Sequence, residues 1–354
     1  MGLTNPSKYK GTTACFSVDE NKNIQDQEFL DFISKKNLKY GFINIYIGRS
    51  STLSSCCRLR SSNDNEYMNT FGAGSSKIGS LGVVTINLPR VAFKHQRGKV
   101  GWGEEVEELV EVCNKINYAK RQIIKDKIER GHHPLYSLGF IDINNQYQTV
   151  GINGFYEFVD IFEEDMLEGG KELGLELISK INKENERWSN EFEMPTNCEQ
   201  IPGESTSVKL ANKDKLLGYN QEYSIYSNQF IPLTDKADLL DRIYLQGQFD
   251  GKFSGGSICH LNVENKIEDA EKMKELIEMS ANKGVIYFAI NYNLQECQQG
   301  HMSVGRENKC GTCGEDIVNN YTRVVGFLTN TKNWNKTRRE IDYPNRKFYE
   351  GLYV

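Results

Sequence analysis

Apolar positions along residues 103–130 fall at Val106, Leu109, Val110, Cys113, Ile116, Ile123 and Ile124, a helical spacing with Gly131 as its stop. A second long helical region is predicted over 155–188, broken near Gly169–Gly170. A third covers 266–283, where Ala270, Met273, Leu276 and Ile277 form a stripe and Gly284 suits the C-terminal cap. Shorter helices are expected after "NCEQIPGESTS" and around "KADLLDRIYLQ". The runs between them read as strands: "KYGFINIYIG", "LGVVTINLP" ended by Pro89, "YSIYSNQFIP" passing from strand to loop, "GGSICHLNV", "VIYFAIN" and "YTRVVGFL". Strands alternating with long helices predict an α/β fold whose sheet has parallel character and can close as a barrel.

Two stretches break this pattern. "SSTLSSCCRLRSSNDNEYMNTFGAGSSKIGS" has no periodicity and is rich in Ser, Gly and Asn, so it reads as a long functional loop. In "YTRVVGFL", Gly326 occupies a position where a branched residue would pack better in a strand.

The chain has 354 residues, 38% hydrophobic and 26% charged, enough for one large α/β domain or two ordinary ones. A net charge of −5 gives no basic face for nucleic acid. No apolar run approaches the roughly 20 residues of a membrane span, and the start lacks a secretory pattern, so a cytoplasmic protein is expected. Its nine cysteines then sit in a reducing compartment, where metal or redox chemistry gains weight over disulfides.

In "ECQQGHMSVGRENKCGTCGED", Cys297 and His301 form one clip, and Cys310 and Cys313 a second, with eight residues between His301 and Cys310. Four N/S ligands in two clips suit the closed tetrahedral shell of structural zinc, which braces a fold and leaves no position for substrate. The adjacent Cys56 and Cys57 lie in the long loop; adjacent cysteines rarely share a metal, and on spacing alone two incidental thiols explain them as well. In "CEQIPGESTSVKLA", a Pro-Gly turn places Ser205 and Thr206 at the opening of a helix. Free N–H groups and hydroxyls there suit an anion, although an ordinary helix cap has the same signature. "GAGSSK" lacks the Walker spacing of a phosphate loop.

Taken in order, the "CCRL" loop followed by "GSLGVVTINLPR", the Pro-Gly-Glu-Ser loop at 202–205, the cysteine cluster and "RVVGFL" with its later "WN" resemble the anaerobic (class III) ribonucleoside-triphosphate reductases. These are glycyl-radical enzymes. The similarity runs from about residue 40 to the C-terminus and includes "YSNQFIPL" and "GQFDGKFSGGSICHLNV". The resemblance implies half or more of a ten-stranded α/β barrel with a small C-terminal zinc module. It divides the chain into an N-terminal segment of unassigned fold (1–40), a partial barrel with a thiyl-bearing finger loop (41–295), the zinc module (296–315) and the glycyl-radical loop with its tail (316–354).

By the same resemblance, Gly326 stores the radical, which a separate activase installs using S-adenosylmethionine and an iron–sulfur cluster. Cys57, just before Arg58, becomes the transient thiyl that takes the 3′-hydrogen of a ribonucleoside triphosphate. Ser205 and Thr206 hold the phosphates, and Glu204 and Ser80 belong to the substrate site. Formate-dependent members carry Met and Asn where this chain has Ser55 and Ser80, which favours a thioredoxin-like donor over formate, with Cys56 as a redox partner. Family members also carry a long N-terminal half, whereas 55 residues precede Cys56 here. The expectation is therefore a split reductase, completed by a separately encoded N-terminal chain and a homo-oligomer when complete. Two rival readings are a glycyl-radical enzyme of the pyruvate formate-lyase kind and a catalytically inactive zinc-bearing interaction module.

Overall fold

The computed structural model describes residues 12–48, 52–54, 60–62, 79–326 and 328–349. The chain opens with β1 (Thr12–Ser17), α1 (Gln27–Asn37) and β2 (Ile43–Gly48), in which Asp26 caps α1 by accepting the Phe29 N–H. A small hairpin follows, β3 (Thr52–Ser54) with β4 (Arg60–Ser62). Next come β5 (Gly79–Asn87), α2 (Leu88–Gln96), the long α3 (Trp102–Glu129), the single turn α4 (Pro134–Ser137) and β6 (Gln146–Asn153). Then follow α5 (Phe155–Ile161), α6 (Gly169–Glu191), β7 (Thr196–Gln200), α7 (Thr206–Leu216), α8 (Leu239–Asp250), β8 (Cys259–Asn262), α9 (Ala270–Lys283) and β9 (Tyr287–Asn291).

Strands β5, β6 and β7 are parallel neighbours, with Val84 opposite Val150 and Val150 opposite Cys198. Their apolar face and helices α3 and α6 bury Val106, Val110, Val150, Ile152, Leu177, Ile178 and Ile181 in one core. A second sheet runs β1-β2-β9-β8; β1 lies parallel to β2 and β8 to β9, while β2 and β9 are antiparallel. Its core joins Ala14, Phe16, Leu30 and Ile33 to Ile43, Ile45, Leu261, Leu276 and Phe288, so residues 12–40 pack on the same sheet as the segments after them.

The two sheets meet where the backbone enters β8. Gly255 N–H donates to Cys198 at 2.7 Å, Gln200 N–H donates to Gly256 at 3.1 Å, and Glu199 bridges Gly256 in parallel. The strand run is therefore β5-β6-β7-β8-β9-β2-β1, two blocks of opposite direction.

Only two residues separate β9 from β10 (Leu294–Cys297), so a third sheet grows directly from the second. It is antiparallel, in the order β11 (Met302–Val304), β10, β12 (Ile317–Arg323) and β13 (Leu328–Asn330). The chain closes with a π-helical turn, Arg338–Asp342, running into α10 (Tyr343–Asn345).

Three expectations change. "YTRVVGFL" is not one strand: β12 stops at Arg323, and Val324–Gly326 turns toward β13. Gly326 is thus a turn residue, which removes the puzzle of a glycine inside a strand. "YSIYSNQFIP" forms no strand, because its backbone is drawn into side-chain bonds instead: Glu157 and Asn220 accept the Ser227 and Tyr223 N–H groups. The third long helix starts at Ala270 rather than 266, since the Asp269 carboxylate caps it by accepting the Glu271 N–H.

Candidate active site and metal centre

Cys297 ends β10, where a bulge interrupts the pairing with β12 and turns the thiol out of the ladder. The Cys297 N–H donates to the His301 carbonyl at 3.1 Å, closing a tight turn that brings the imidazole back over the thiol. Cys310 and Cys313 come from a second turn, closed by Gly314 N–H to Cys310 O at 2.8 Å. The four ligand atoms all lie within 4.8 Å of one another. Cys297 Sγ is 3.7 Å from Cys313 Sγ and 3.6 Å from His301 Nδ1, and Cys310 Sγ is 3.9 Å from His301 Nδ1. A tetrahedron with Zn–S of about 2.3 Å and Zn–N of about 2.0 Å has edges of about 3.5–3.8 Å, so the cage has the right size for a metal. The sulfurs are too far apart for a disulfide, which needs about 2.05 Å. Backbone N–H groups of Cys313 and Thr312 point at the Cys310 sulfur and draw its pKa down to about 6, which favours the thiolate that a metal binds. All four expected ligands are brought together.

The same sheet carries the glycine turn. Arg323, 2% exposed, ends β12; its Nη1 donates to Gly326 O at 3.2 Å and its Nη2 to Gly41 O and Phe42 O at 3.2 and 3.0 Å. Burial lowers its pKa to about 10, leaving it charged at neutral pH. Asn291, at the end of β9, accepts from both Thr322 Oγ1 and Arg323 N–H. Val324 and Val325 pack with Trp334 in a small core of their own. Among the described residues nothing requires glycine at Gly326. A Cβ built there meets nothing within 4 Å among the described residues, and its φ is not left-handed.

Cys56 and Cys57 lie outside the described residues.

A family model described as anaerobic ribonucleoside-triphosphate reductase matches residues 10–349. The chain belongs to that family. It is 21% identical over 276 residues to the anaerobic ribonucleoside-triphosphate reductase of Enterobacteria phage T4, covering 71% of this chain and 45% of that one. A solved anaerobic ribonucleotide reductase superposes with TM-score 0.85 at 34% identity, over 96% of this chain and 55% of its own. The Thermotoga maritima anaerobic ribonucleotide reductase, solved in complex with dATP and CTP, gives TM-score 0.78 at 33% identity, over 93% and 55%. The chain thus spans about half the length of the relatives it matches. The pyruvate formate-lyase kind is not favoured. No helix among the described residues is long and apolar enough to cross a membrane.

Ser205 stands at the N-cap of α7 without a side-chain capping bond. Gly203 precedes it at φ +57°, and a Cβ there would meet Ser207 Oγ at 2.9 Å, so the turn needs glycine. The Ser205 and Thr206 N–H groups donate to no acceptor among the described residues, and both hydroxyls are at least partly exposed. Burial raises the Glu204 carboxyl above its usual range despite Arg338 nearby. Ser80 sits exposed at a bulge in β5, where Leu81 is the extra residue against β6.

Sequence reasoning missed the side chains that join these parts. Asp342 lies between Arg338 and Arg346, bonding Arg338 Nη1 at 2.7 Å and Arg346 Nε at 2.8 Å, all three buried. Burial works against its charge, but the two guanidinium groups, Arg346 foremost, outweigh that and hold the carboxyl below its usual range. The available signal was an acidic residue with a basic one four positions to each side in "RREIDYPNR", in a stretch that otherwise reads as a solvated tail.

Arg338 and Asp342 also line a cavity of about 390 Å³ with Tyr156, Glu157, Tyr223 and Asp235. Both Glu157 oxygens accept the one Ser227 N–H, at 2.8 and 2.9 Å. Burial dominates and pushes the Glu157 carboxyl from 4.5 up to about 8, with Asp160 adding to the rise. The folded state therefore holds this proton more tightly than the unfolded chain. Its contribution to stability is complete below the unfolded value and is lost as pH rises from about 4.5 to about 8. Glu157→Gln should flatten that decline and melt above the wild type near the upper end of this range. Melting curves with the same pH slope in both proteins would contradict it.

Proposed function

We infer that this chain carries the radical-storing, thiol-bearing and phosphate-holding parts of an anaerobic ribonucleotide reductase, which converts ribonucleoside triphosphates to 2′-deoxyribonucleoside triphosphates. The observation that carries the reading is Gly326. It follows a braced Arg-Val-Val segment in a family member, and neither its backbone angle nor its surroundings among the described residues call for glycine. A radical on the α-carbon is stabilised between amide and carbonyl only if that centre can flatten, which a side chain hinders.

In this mechanism the Gly326 radical takes the hydrogen atom of the Cys57 thiol, leaving glycine and a thiyl. The thiyl takes the 3′-hydrogen of the ribose, and the 2′-hydroxyl leaves with a proton as water. A thioredoxin-like dithiol, with Cys56 as relay, supplies two electrons and two protons and becomes a disulfide. The 3′-hydrogen then returns from Cys57, and the radical returns to Gly326. Ser205 and Thr206 orient the triphosphate with N–H groups and hydroxyls at the α7 N-terminus, and Glu204 and Ser80 line the same site. Zinc held by Cys297, His301, Cys310 and Cys313 braces the sheet that carries the glycine turn; it is structural. The seven joined strands form the larger part of a ten-stranded barrel enclosing the site. A separate activase with an iron–sulfur cluster and S-adenosylmethionine installs the radical.

The test separates storage from use. After anaerobic activation, Cys57→Ser should keep the glycyl signal and form no deoxyribonucleotide. Product formed by Cys57→Ser would remove that thiol from the mechanism.

A further inference from the structure

A continuous path of hydrogen bonds, buried in its middle and half-buried at its two ends, joins the anion loop to the glycine turn. Arg338 Nε donates to Glu204 O at 2.7 Å, and its Nη1 donates to Asp342 Oδ2 at 2.7 Å. Asp342 accepts Arg346 Nε at Oδ1 and Arg346 Nη2 at Oδ2, at 2.8 and 2.9 Å. Arg346 in turn donates to Arg323 O at 2.5 Å and Val324 O at 2.8 Å, the two carbonyls that enter the turn. Arg323 closes the path on Gly326 O. The Arg346 guanidinium also lies 4.6 Å over the Trp334 ring, which packs on Val324 and Val325. The tail thus grips the turn by both polar and apolar contacts.

The charges on this path do not balance. Two buried guanidinium groups, Arg338 and Arg346, share one buried carboxylate, Asp342, while the buried Arg323 bonds only backbone carbonyls. Arg338 Nη2 is buried with no hydrogen-bond partner among the described residues, and it belongs to the side chain nearest the anion loop. An incompletely paired buried cation responds to added negative charge, because low local dielectric strengthens the interaction. A planar guanidinium can pass such a shift on, since its fork fixes two acceptors in one plane.

We propose that Arg338, Asp342 and Arg346 form a positioning relay, through which a triphosphate at Ser205–Thr206 orders the Val324–Gly326 turn. The relay rests on the phosphate role given above for Ser205 and Thr206. These three side chains touch neither the sugar nor the radical; they act through the backbone carbonyls of Glu204, Arg323 and Val324. The functional consequence is that the glycine turn is held most firmly when substrate is bound.

The test is amide hydrogen exchange at Val324–Gly326 with and without CTP, alongside calorimetric measurement of CTP binding. In the wild type, CTP should slow exchange there about fivefold or more, the range of ordinary coupling energies. Arg338→Gln cuts the path while leaving the Asp342–Arg346 pair in place. It should keep the exchange rates of the CTP-free protein and lose the CTP-dependent slowing. Arg338→Lys, which keeps the charge without the fork, should behave likewise, and a merely structural arginine would instead change exchange equally with and without CTP. CTP binding to the wild type without slower exchange overturns the relay alone, as does full CTP-dependent slowing in both variants. No binding of CTP to the wild type overturns the phosphate role of Ser205–Thr206, and the relay with it.

Discussion

Cys310→Ser is expected to lose the metal and, with it, the order of residues 298–316. Between its two turns β11 is held by pairing with β10, but the turns themselves have little else to hold them. Gln298, Gln299, Gly300 and His301 are exposed, as are most residues from Glu307 to Asp316, so apolar burial contributes almost nothing to the two turns. Metal binding to such a site is folding free energy, about 10–16 kcal/mol in small zinc-finger peptides, and removal of one of four ligands forfeits a large part of it. Damage should spread along β10 to β12, because Leu294 and Gln295 pair with Tyr321 and Asn320 just before the glycine turn. Metal analysis should find about one zinc per wild-type chain, as four ligands fill one shell, and close to none in the variant. Limited proteolysis should then cut the variant within 298–316. A wild-type protein without zinc, or a variant as protease-resistant as its parent, would refute a structural metal here.

Gly326→Ala is expected to fold as well as the wild type and to have no activity at all. Ordinary glycine-to-alanine changes destabilise when φ is left-handed or when the new methyl collides with a neighbour, and at Gly326 φ is not left-handed and no described residue lies within reach of the methyl. Loss of backbone freedom in the unfolded chain can even stabilise the variant, so the change in stability should stay within about 1 kcal/mol in either direction. The Arg323 bond goes to the carbonyl of Gly326 and survives the substitution. Denaturation midpoint and turnover are therefore expected to separate completely. A variant with substantial reductase activity would detach the reaction from this glycine, and one that unfolds would restore a structural reason for it.

Much of this fold was legible in the order of its residues, for physical reasons that differ by element. The stripe marked α3 correctly from Val106 to Cys113, where it is the buried face, although Ile116 and Ile123 are exposed and Asn114, Asn117 and Arg121 are buried instead; "VIYFAIN" marked β9 because a central strand is buried on both faces. The metal cage was legible because its ligands lie within 17 residues and two turns suffice to gather them. "YTRVVGFL" misled because valines in a buried turn look like valines in a strand; Val325 is fully buried by Trp334 and its neighbours rather than by a sheet. The segment β1 was missed because "TTACFS" is short and half polar, and its pairing with β2 decides it. Least legible was the Arg338–Asp342–Arg346 clamp. Charged residues near a chain end ordinarily face water, and only tertiary contacts show these three buried against the carbonyls of distant loops.

The central claim is that Gly326 can hold an unpaired electron, and paramagnetic resonance on the activated protein tests it most directly. Under strict anaerobiosis, with a radical-generating activase and S-adenosylmethionine, the wild type should give the doublet of one α-hydrogen. Protein grown on α-deuterated glycine should give a singlet instead, and Gly326→Ala should give no signal. A doublet that persists in Gly326→Ala, or that ignores deuteration, would contradict the account.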